Sequence, residues 1–459
     1  MTTKKKENIN PETYDKRRNQ LFDQMNTGVA IVPSARRTRN TDGLHYPFRP
    51  DMDFYYLTGI DEDNVIAVFE KKEQKQIFHL FLEPRDDEQE TWSGEMIGLD
   101  QAEERFGADK AHTIDTFEGK LSDLVEGHRE IYAPVGRYEF LDKQITGALN
   151  TLRRNARTRK RCPELIHDLS ELVHPLRQTK TPEEIDLHRR AIDLTWKGLM
   201  RAMKLCEPGR FEYEIEAVLD EEFRRRGGDG PAFETIVGSG NNATILHYQD
   251  NEDRLDNGEL VLVDCGASYQ YHCADITRTF PVDGTFTEPQ RSFYEVVLDG
   301  QTELIEHVTP GTSYKELQQR SEELMAEGMI ELGLLEGSVD ELTSSSRQKQ
   351  SSSNDTDQPP HKRYYMHKVG HWLGLDTHDV GPYLHFGTED PSAIELRPGM
   401  LLTIEPGLYV PEDAENVPEK FRGLGVRIED DILVTQDGCE VLSSAVPKQP
   451  DELEQLITS

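Results

Sequence analysis

The sequence has few cysteines, fewer basic than acidic side chains, and no long apolar run. Its five cysteines are odd in number and widely scattered, which favours reduced thiols over a disulfide framework. No stretch approaches the roughly 18 apolar residues that cross a bilayer, and no apolar segment follows the basic start. We therefore expect a globular protein of the cytoplasm, with neither a membrane span nor a secretory signal.

Acidic residues outnumber basic ones by 86 to 52, which gives a formal net charge of −34. A field of this sign repels nucleic acids and anionic membranes, so neither is an expected partner. The same field attracts cations, including metal ions, but a solvated acidic surface that keeps the protein soluble is the simpler interpretation. Charge narrows the range of partners and does not identify a function.

The length predicts more than one domain, because 459 residues exceed what one hydrophobic core usually supports. Within residues 1–178, a helical pattern near Tyr14 precedes short apolar runs bounded by glycine, proline and charged residues. This pattern predicts an α/β domain. The runs of strand length are 29–32, 66–69 and 77–82.

A capping box marks the start of a second domain, residues 179–459. Thr181 and Glu184 have the required spacing, and Pro182 occupies the first helical position, so a helix should begin here. Strands, turns and further helices alternate beyond it. A polar, serine-rich stretch at 343–360 cannot contribute to a core and predicts a surface loop.

Two aspartates lie where an apolar strand and its expected return strand meet. The apolar run 260–263 ends on Asp264, and Asp275 lies in a segment typical of the returning strand of a hairpin. A hairpin places both carboxylates at one point, where their repulsion requires a cation. An aspartate at the end of a strand is more often a solvated or capping residue. The pair therefore indicates a metal site only in combination with further ligands.

Three histidines occur within one glycine-rich segment: His367, His371 and His378. Imidazoles among apolar and glycine neighbours indicate metal ligation or proton transfer. The alternative is that some of them are core histidines satisfied by hydrogen bonds. His367 and His371 would share one face of a helix, but the surrounding glycines favour a strand or loop.

Two glutamates complete the set of candidate ligands. Glu405 directly follows the apolar run 401–404, and Glu429 comes two positions after Arg427. Because side chains alternate along a strand, Arg427 and Glu429 should project to the same face, where the guanidinium can orient the acid and hold it ionised.

Together these positions supply four carboxylates and one imidazole beside apolar strands. Four buried acids exceed what one divalent ion needs, whereas two ions that share bridging carboxylates balance them. Oxygen-rich ligation with one nitrogen suits Mn²⁺, and also Co²⁺, Fe²⁺ or Zn²⁺. A pair of ions about 3.5–4 Å apart activates water and stabilises both oxygens of a hydrolytic transition state.

The order aspartate, aspartate, histidine, glutamate, glutamate resembles the metallopeptidase family with the pita-bread fold, which includes methionine aminopeptidases, prolidases, aminopeptidases P and creatinases. Residues 46–59 resemble the N-terminal domain shared by prolidases and aminopeptidases P. Other segments resemble aminopeptidase P: 235–248, 275–282, 366–367, 371–381, 403–409 and 421–432. The implied fold class is α/β + α+β. An N-terminal creatinase/aminopeptidase P-type α/β domain is followed by a C-terminal pita-bread fold with a curved, mostly antiparallel sheet.

The resemblance assigns ligand roles residue by residue. It implies that two divalent metal ions, with Mn²⁺ as the expected metal, are held by Asp264, Asp275, His371, Glu405 and Glu429. Asp275 and Glu429 would bridge the two ions. Glu405 would also relay a proton to the leaving imino nitrogen.

The resemblance also implies four further catalytic residues. His247 and His378 would bind the substrate and stabilise the oxyanion, and His367 would line the pocket of the leaving residue. Arg427 would fix the bridging glutamate. Departures from the family's usual residues lie beside the ligands and not at them: Phe233, Ala274, Lys368 and Val369.

The activity implied is that of an Xaa-Pro aminopeptidase, which removes the first residue from peptides with proline at the second position. A prolidase restricted to Xaa-Pro dipeptides is the nearest alternative, and a metal-free binding module with the same fold is a more distant one. The family also implies a homo-oligomer, a dimer or tetramer, that assembles through the N-terminal domain. Trp92 and Asp53 are candidates for residues that border a neighbour's active site.

Overall fold

The computed structural model describes residues 10–154, 161–344, 358–384 and 393–459. The chain divides into two compact units, Met1–Arg177 and Gln178–Ser459. Most of the serine-rich stretch 343–360, for which the sequence predicts a surface loop, lies outside the described residues. Within those residues, no helix combines the length and the apolar character needed to cross a membrane.

A mixed six-stranded sheet forms the first unit, together with a separate two-stranded hairpin. Its strands are β1 (Gly28–Pro33), β2 (Arg39–Thr41), β3 (Leu44–His45), β4 (Ile66–Lys72), β5 (Lys75–Leu82), β6 (Lys110–Thr113), β7 (Glu130–Ala133) and β8 (Leu165–Asp168). The sheet order is β6-β5-β4-β1-β7-β8, and β2 pairs with β3. β4 is antiparallel to β1 and β5, whereas β6, β7 and β8 join in parallel. The three predicted strands of this unit are β1, β4 and β5.

The helices of the first unit are α1 (Pro11–Gln24), α2 (Met52–Thr58), α3 (Asp87–Ser93), α4 (Gly98–Glu104), α5 (Phe117–Val125), α6 (Glu139–Arg154) and α7 (Ser170–Gln178). The helix predicted near Tyr14 is α1, which begins at a proline and is capped by the side chain of Asn10. Apolar residues of the sheet pack with those of α5 and α6 in one buried core, which includes Val68, Leu121 and Leu141. This unit therefore has its own core, as an α/β domain requires.

The second unit begins with the helix that the capping box predicts. Thr181 Oγ1 accepts a hydrogen bond from the Glu184 N–H at 3.3 Å, and the Glu184 carboxylate accepts one from the Thr181 N–H at 2.9 Å. The helices of this unit are α8 (Pro182–Leu205), α9 (Glu212–Arg225), α10 (Glu288–Glu306), α11 (Tyr314–Glu331), α12 (Val339–Thr343) and α13 (Pro450–Thr458). Apolar faces of α8 to α11 share one large buried cluster with the strands of the unit.

Short strands in several small sheets carry the rest of the second unit. They are β9 (Gly230–Pro231), β10 (Ile236–Ser239), β11 (Leu260–Cys265), β12 (Ala267–Tyr269), β13 (His272–Cys273), β14 (Ile276–Pro281), β15 (Leu401–Ile404), β16 (Gly407–Val410), β17 (Leu424–Arg427), β18 (Asp430–Val434) and β19 (Cys439–Val441). The sheet orders are β10-β11-β14, β13-β12-β9, β15-β18-β19 and β16-β17. Every strand pairing among the described residues of this unit is antiparallel.

Candidate metal centre and active site

The two aspartates meet because β11 and β14 are antiparallel neighbours, as the hairpin prediction requires. Asp264 lies within β11 opposite Thr277, and Asp275 immediately precedes β14. Both residues are buried, with 9% and 4% of their surface exposed. The Oδ1 atom of Asp264 has no hydrogen-bond partner among the described residues. A cation is the natural partner for such an orphaned buried carboxylate oxygen.

His371 approaches both an aspartate and a glutamate with the same ring nitrogen. Its Nε2 atom lies 3.3 Å from Asp275 Oδ2 and 3.7 Å from Glu405 Oε1. The other nitrogen, Nδ1, donates to the carbonyl of Trp372 at 3.1 Å, so Nε2 carries the lone pair that a metal ion needs. Burial, followed by the charge of His378, lowers the pKa of His371 to about 4, which keeps the imidazole neutral.

The two glutamates reach the same place from strand ends. Glu405 follows β15, and Glu429 lies in the break between β17 and β18. Glu429 Oε2 accepts a hydrogen bond from Thr277 Oγ1 at 2.7 Å. Ligand atoms of Asp275, His371 and Glu429 all lie within 4.8 Å of one another. This separation allows one ion to contact all three residues.

The electrostatics of the cluster favour bound cations. Burial, with repulsion from neighbouring carboxylates, raises the pKa of Asp275 and of Glu429 well above the ordinary range. Burial, opposed by the charge of Arg427, raises the pKa of Glu405 to about 8. Divalent ions remove this repulsion and restore the ionised carboxylates. The donor set therefore fits the pair of hard divalent ions that the sequence predicts.

Arg427 contacts the site differently from the sequence-based expectation. Its Nη2 atom lies 2.6 Å from Asp264 Oδ2, so its direct ion pair is with the aspartate and not with Glu429. It reaches Glu429 only through Thr277, whose hydroxyl accepts from Arg427 Nε at 3.2 Å and donates to Glu429. Nη1 also donates to the hydroxyl of Tyr409 at 3.1 Å. One guanidinium thus connects β17 to residues on three other strands: Asp264 on β11, Thr277 on β14 and Tyr409 on β16.

The three remaining histidines lie at the edge of the carboxylate cluster. His367 Nδ1 donates to the Lys368 carbonyl at 2.7 Å, so its Nε2 accepts from the Tyr409 hydroxyl at 2.8 Å. Burial and then the charge of Arg427 lower the pKa of His367 to about 3. The rings of His371 and His378 are 4.3 Å apart, and burial with the nearby charge of His247 lowers the pKa of His378.

The segment that carries the histidines contains no helix among its described residues 364–384, in agreement with the expectation of strand or loop. His247 is exposed, yet its charge contributes to the lowered pKa of both His367 and His378, which places it beside them. The structure therefore brings together all nine residues that the sequence analysis singles out for the site: His247, Asp264, Asp275, His367, His371, His378, Glu405, Arg427 and Glu429.

Two polar residues of the site escape the sequence analysis, although both lie in segments that carry the resemblance. Thr277 hydrogen-bonds Arg427 and Glu429, and Tyr409 hydrogen-bonds Arg427 and His367. Strand alternation is the signal that could have identified Thr277, because it lies two positions from Asp275. Tyr409 has no comparable signal, since the pairing of β16 with β17 must be known first.

Asp53 and Trp92 belong to the first unit and differ in accessibility. Asp53 is 3% exposed and bonds Arg177 Nη1 at 2.7 Å and His174 Nε2 at 3.4 Å. Its carboxylate is thus engaged by side chains of its own unit. Trp92 is 85% exposed, which is compatible with the expectation that it borders a neighbour's site.

Comparison with known proteins defines the class. The sequence model of metallopeptidase family M24 matches residues 186–436, and that of the aminopeptidase P N-terminal domain matches residues 14–132. The chain belongs to metallopeptidase family M24, and it is a metal-dependent peptidase with the N-terminal domain of aminopeptidase P. The predicted fold class, an α/β domain followed by a pita-bread domain, is confirmed.

Individual relatives extend the similarity over nearly the whole chain. Xaa-Pro aminopeptidase of Escherichia coli strain K12 is 40% identical, covering 98% of this chain and 98% of the relative. Human Xaa-Pro aminopeptidase 3 is 33% identical, covering 91% of this chain and 78% of the relative. The structure of zinc-substituted E. coli aminopeptidase P in complex with product superposes with a TM-score of 0.90 at 39% identity, covering 98% of each chain.

Proposed function

We propose that the second unit hydrolyses the peptide bond between an N-terminal residue and a following proline, as an Xaa-Pro aminopeptidase does. The observation that carries the proposal is the convergence of three buried carboxylates, the partly buried Glu405 and a neutral histidine in a chain similar over 98% of its length to Xaa-Pro aminopeptidase of E. coli. The substrates are accordingly peptides with proline at the second position.

The proposed ligands of two divalent ions are Asp264, Asp275, His371, Glu405 and Glu429. Mn²⁺ is the proposed metal, because four carboxylates and one imidazole form an oxygen-rich set without thiolate. When bound, the ions lower the pKa of water and stabilise the charge that develops on the carbonyl oxygen. Asp275 and Glu429 are proposed to bridge the ions, as the resemblance to the family implies, and their ligand atoms lie within 4.8 Å of each other.

Glu405 is proposed to move the proton that the reaction requires. Cleavage before proline releases a secondary amine, and that nitrogen must gain a proton as the bond breaks. Glu405 Oε1 lies 3.7 Å from His371 Nε2, and with divalent ions bound the Glu405 carboxylate is ionised and able to accept a proton. It can therefore take a proton from the attacking water and pass it to the leaving nitrogen.

The three histidines beside the carboxylates are proposed to bind and polarise the substrate. His247 and His378 donate hydrogen bonds to the substrate and to its developing oxyanion. His367, held by the Tyr409 hydroxyl, lines the pocket of the leaving residue. Arg427 holds Asp264 in place and, through Thr277, orients Glu429. Burial keeps His367 and His378 in the neutral form that can act as a donor at one nitrogen.

Four statements about the whole chain belong to the same proposal. The chain forms a homo-oligomer, a dimer or tetramer, and the exposed Trp92 supports a surface for assembly. It acts in the cytoplasm, which the scattered free cysteines support. Its N-terminal domain spans residues 1–178 and its catalytic domain residues 179–459. The net charge of −34 favours neither nucleic acid nor anionic membranes as partners.

The test is hydrolysis of Arg-Pro-Pro and of the dipeptide Gly-Pro by metal-stripped protein, with and without added Mn²⁺. We expect metal-dependent release of arginine from the tripeptide. Cleavage of the dipeptide alone would make the protein a prolidase, and cleavage of neither would reduce the site to binding. A Glu405→Gln variant is the control for contaminating peptidase, because it should remain inactive with Mn²⁺ while the chain stays folded.

A further inference from the structure

Glu212 is a fully buried carboxylate that has no place in the proposed chemistry. It lies in the first turn of α9 with none of its surface exposed. The positive end of the helix favours a negative charge there, but the helix alone does not require a buried one. A buried charge is costly unless hydrogen bonds replace its hydration, so its partners indicate what it does.

Four donors surround the Glu212 carboxylate, which is as many as its lone pairs can serve. Oε1 accepts from the Ser239 N–H at 2.8 Å and from Asn242 Nδ2 at 3.2 Å. Oε2 accepts from the Tyr248 hydroxyl at 2.8 Å and from the Asp253 N–H at 2.9 Å. Each of these donors lies in the single connection between β10 and β11 or at its start.

That connection has little regular structure of its own. Between the end of β10 at Ser239 and the start of β11 at Leu260, its one helical element is the 3-10 helix Gly240–Thr244. The Glu212 N–H also donates to the Asp253 carbonyl at 2.9 Å, so both the side chain and the backbone of Glu212 hydrogen-bond Asp253. Glu212 therefore supplies part of the hydrogen bonding that a neighbouring strand would otherwise provide.

His247 lies in this connection, directly before Tyr248. The Tyr248 ring is buried in a small cluster with Ile236, Leu262 and Tyr409, while its hydroxyl is held by Glu212. Consecutive Cα atoms are about 3.8 Å apart, so fixing both ends of the Tyr248 side chain also restricts the position of His247. His247 itself is exposed.

We infer that Glu212 is a positioning residue that holds the connection between β10 and β11 so that His247 faces the metal centre. The inference rests on the substrate-binding role proposed above for His247. Glu212 touches neither metal ligands nor substrate, and it acts through Tyr248 and the backbone at Ser239 and Asp253. We expect its effect on the reaction to pass through His247, which directly precedes Tyr248.

The test is a double-mutant cycle with Glu212→Gln and His247→Ala, read as kcat/KM for Arg-Pro-Pro in Mn²⁺-loaded protein. The glutamine amide turns two acceptor positions into a donor group, so two of the four bonds are lost. We expect Glu212→Gln to lower kcat/KM by about 10- to 100-fold, as misplacement of a binding group does. In the His247→Ala background the same change should cost less than about 2-fold, because residues that act through one another are not additive.

The matched control is Glu222→Gln on the same helix. Glu222 is also fully buried and accepts from Arg201 and Arg225, with no contact to the connection that carries His247. It should lower the melting temperature while leaving kcat/KM within about 2-fold of the parent. Amide hydrogen exchange at Ser239 and Asp253 should accelerate in Glu212→Gln and not in Glu222→Gln.

The outcomes distinguish a failure of this inference from a failure of the substrate-binding role proposed for His247. If His247→Ala has no effect on kcat/KM, the role of His247 fails and the inference fails with it. If His247→Ala is impaired and the losses from the two changes multiply, His247 keeps its role and the inference about Glu212 is overturned. Should Glu212→Gln not fold, Tyr248→Phe removes one of the four donors and retains the ring. It must then show the same non-additivity with His247→Ala for the inference to stand.

Discussion

Arg427 and Asp264 form a buried ion pair in which Nη2 and Oδ2 are 2.6 Å apart. The same guanidinium donates to Thr277 and to Tyr409, so it is fixed from three sides. Burial, and then repulsion from carboxylates that include Asp264, raises the pKa of Asp275 and of Glu429. Arg427 is therefore a cation that the protein itself supplies to the metal centre.

Replacing Arg427 with methionine should destabilise the metal-free protein more than the Mn²⁺-loaded protein. Without the guanidinium, Asp264 is left as a buried charge that no metal compensates, and breaking such a pair costs about 3–5 kcal/mol. Bound divalent ions supply the missing positive charge, so the loss should be smaller with Mn²⁺. Urea unfolding with chelator and with saturating Mn²⁺ measures both values.

Arg427→Lys is the control for this prediction. Lysine keeps the positive charge but cannot bond Asp264, Thr277 and Tyr409 from one planar group. It should recover most of the lost stability without recovering full kcat/KM. An equal loss of stability for Arg427→Met with and without Mn²⁺ would show that the ion pair does not compensate the carboxylates.

The stability of the metal-free protein should fall as the pH rises from about 6.5 to 8. The pKa of Glu405 in the folded protein is raised to about 8, so its carboxyl keeps a proton that the unfolded chain has already lost. Stability therefore decreases in this window by about 1.4 kcal/mol per pH unit for each such carboxyl. Chemical denaturation at several pH values, with chelator present, measures the slope.

The lower limit of that window is set by the buried histidines. Burial lowers the pKa of His367 to about 3 and of His188 to about 3, so the unfolded chain takes up protons there that the folded protein does not. Their contribution to stability rises with pH until the unfolded imidazoles have lost their protons, about one unit above their usual pKa of about 6.5, so the carboxyl effect outweighs it progressively above pH 6.5. Saturating Mn²⁺ should abolish the fall, and a flat profile in chelator would contradict the prediction.

The sequence predicts the local parts of this site better than the contacts across it. The capping box at Thr181 and the hairpin of Asp264 and Asp275 depend on neighbours in the chain, and both are present. The partner of Arg427 could not be predicted, because alternation along β17 gives the face of the side chain but not the strand it meets. That partner, Asp264, lies 163 positions away in the sequence.

The partners of other buried charged residues in the second unit are likewise not predictable from the sequence. Glu212 looks like an ordinary acidic residue at the start of a helix, a position where such residues are common and exposed. Its role follows from the irregular connection before β11, whose path no periodicity predicts. The Lys180–Asp379 ion pair spans 199 positions, and neither residue carries a signal that identifies its partner.

Lys180→Met should destabilise the protein by about 3–5 kcal/mol and impair catalysis. Lys180 Nζ lies 2.8 Å from Asp379 Oδ2, and both side chains are almost fully buried. The ammonium takes the place of water around the Asp379 carboxylate, so its removal deprives a buried charge of this stabilising partner. Asp379 directly follows His378, so relaxation of this segment should also displace the imidazole. Unfolding by urea and kcat/KM for Arg-Pro-Pro measure the two effects.

Lys197→Met is the matched control, since Lys197 pairs with Asp193 at 2.5 Å on α8 but remains partly exposed. Partly exposed pairs contribute little, so this change should cost less than about 1 kcal/mol and leave kcat/KM unaltered. Similar losses of stability for the two variants would show that the buried Lys180–Asp379 pair contributes no more to stability than the partly exposed Lys197–Asp193 pair.

Gly370→Ala should disable the metal centre, although glycine has no side chain that could bind a metal ion. A Cβ atom at position 370 would lie 1.9 Å from the Thr403 carbonyl oxygen, which is backbone and cannot move aside without shifting β15. The next residue is His371, whose N–H donates to Thr403 Oγ1 at 3.1 Å. A displacement of about 1 Å at a reacting site costs on the order of 100-fold in rate, so kcat/KM should fall at least that far.

Gly438→Ala is the control, because a Cβ there meets no atom within 4 Å. Isothermal titration with Mn²⁺ should find weakened binding in Gly370→Ala and parental binding in Gly438→Ala. Parental metal affinity and kcat/KM in Gly370→Ala would mean that β15 yields to the added methyl group, and that His371 does not depend on this close approach.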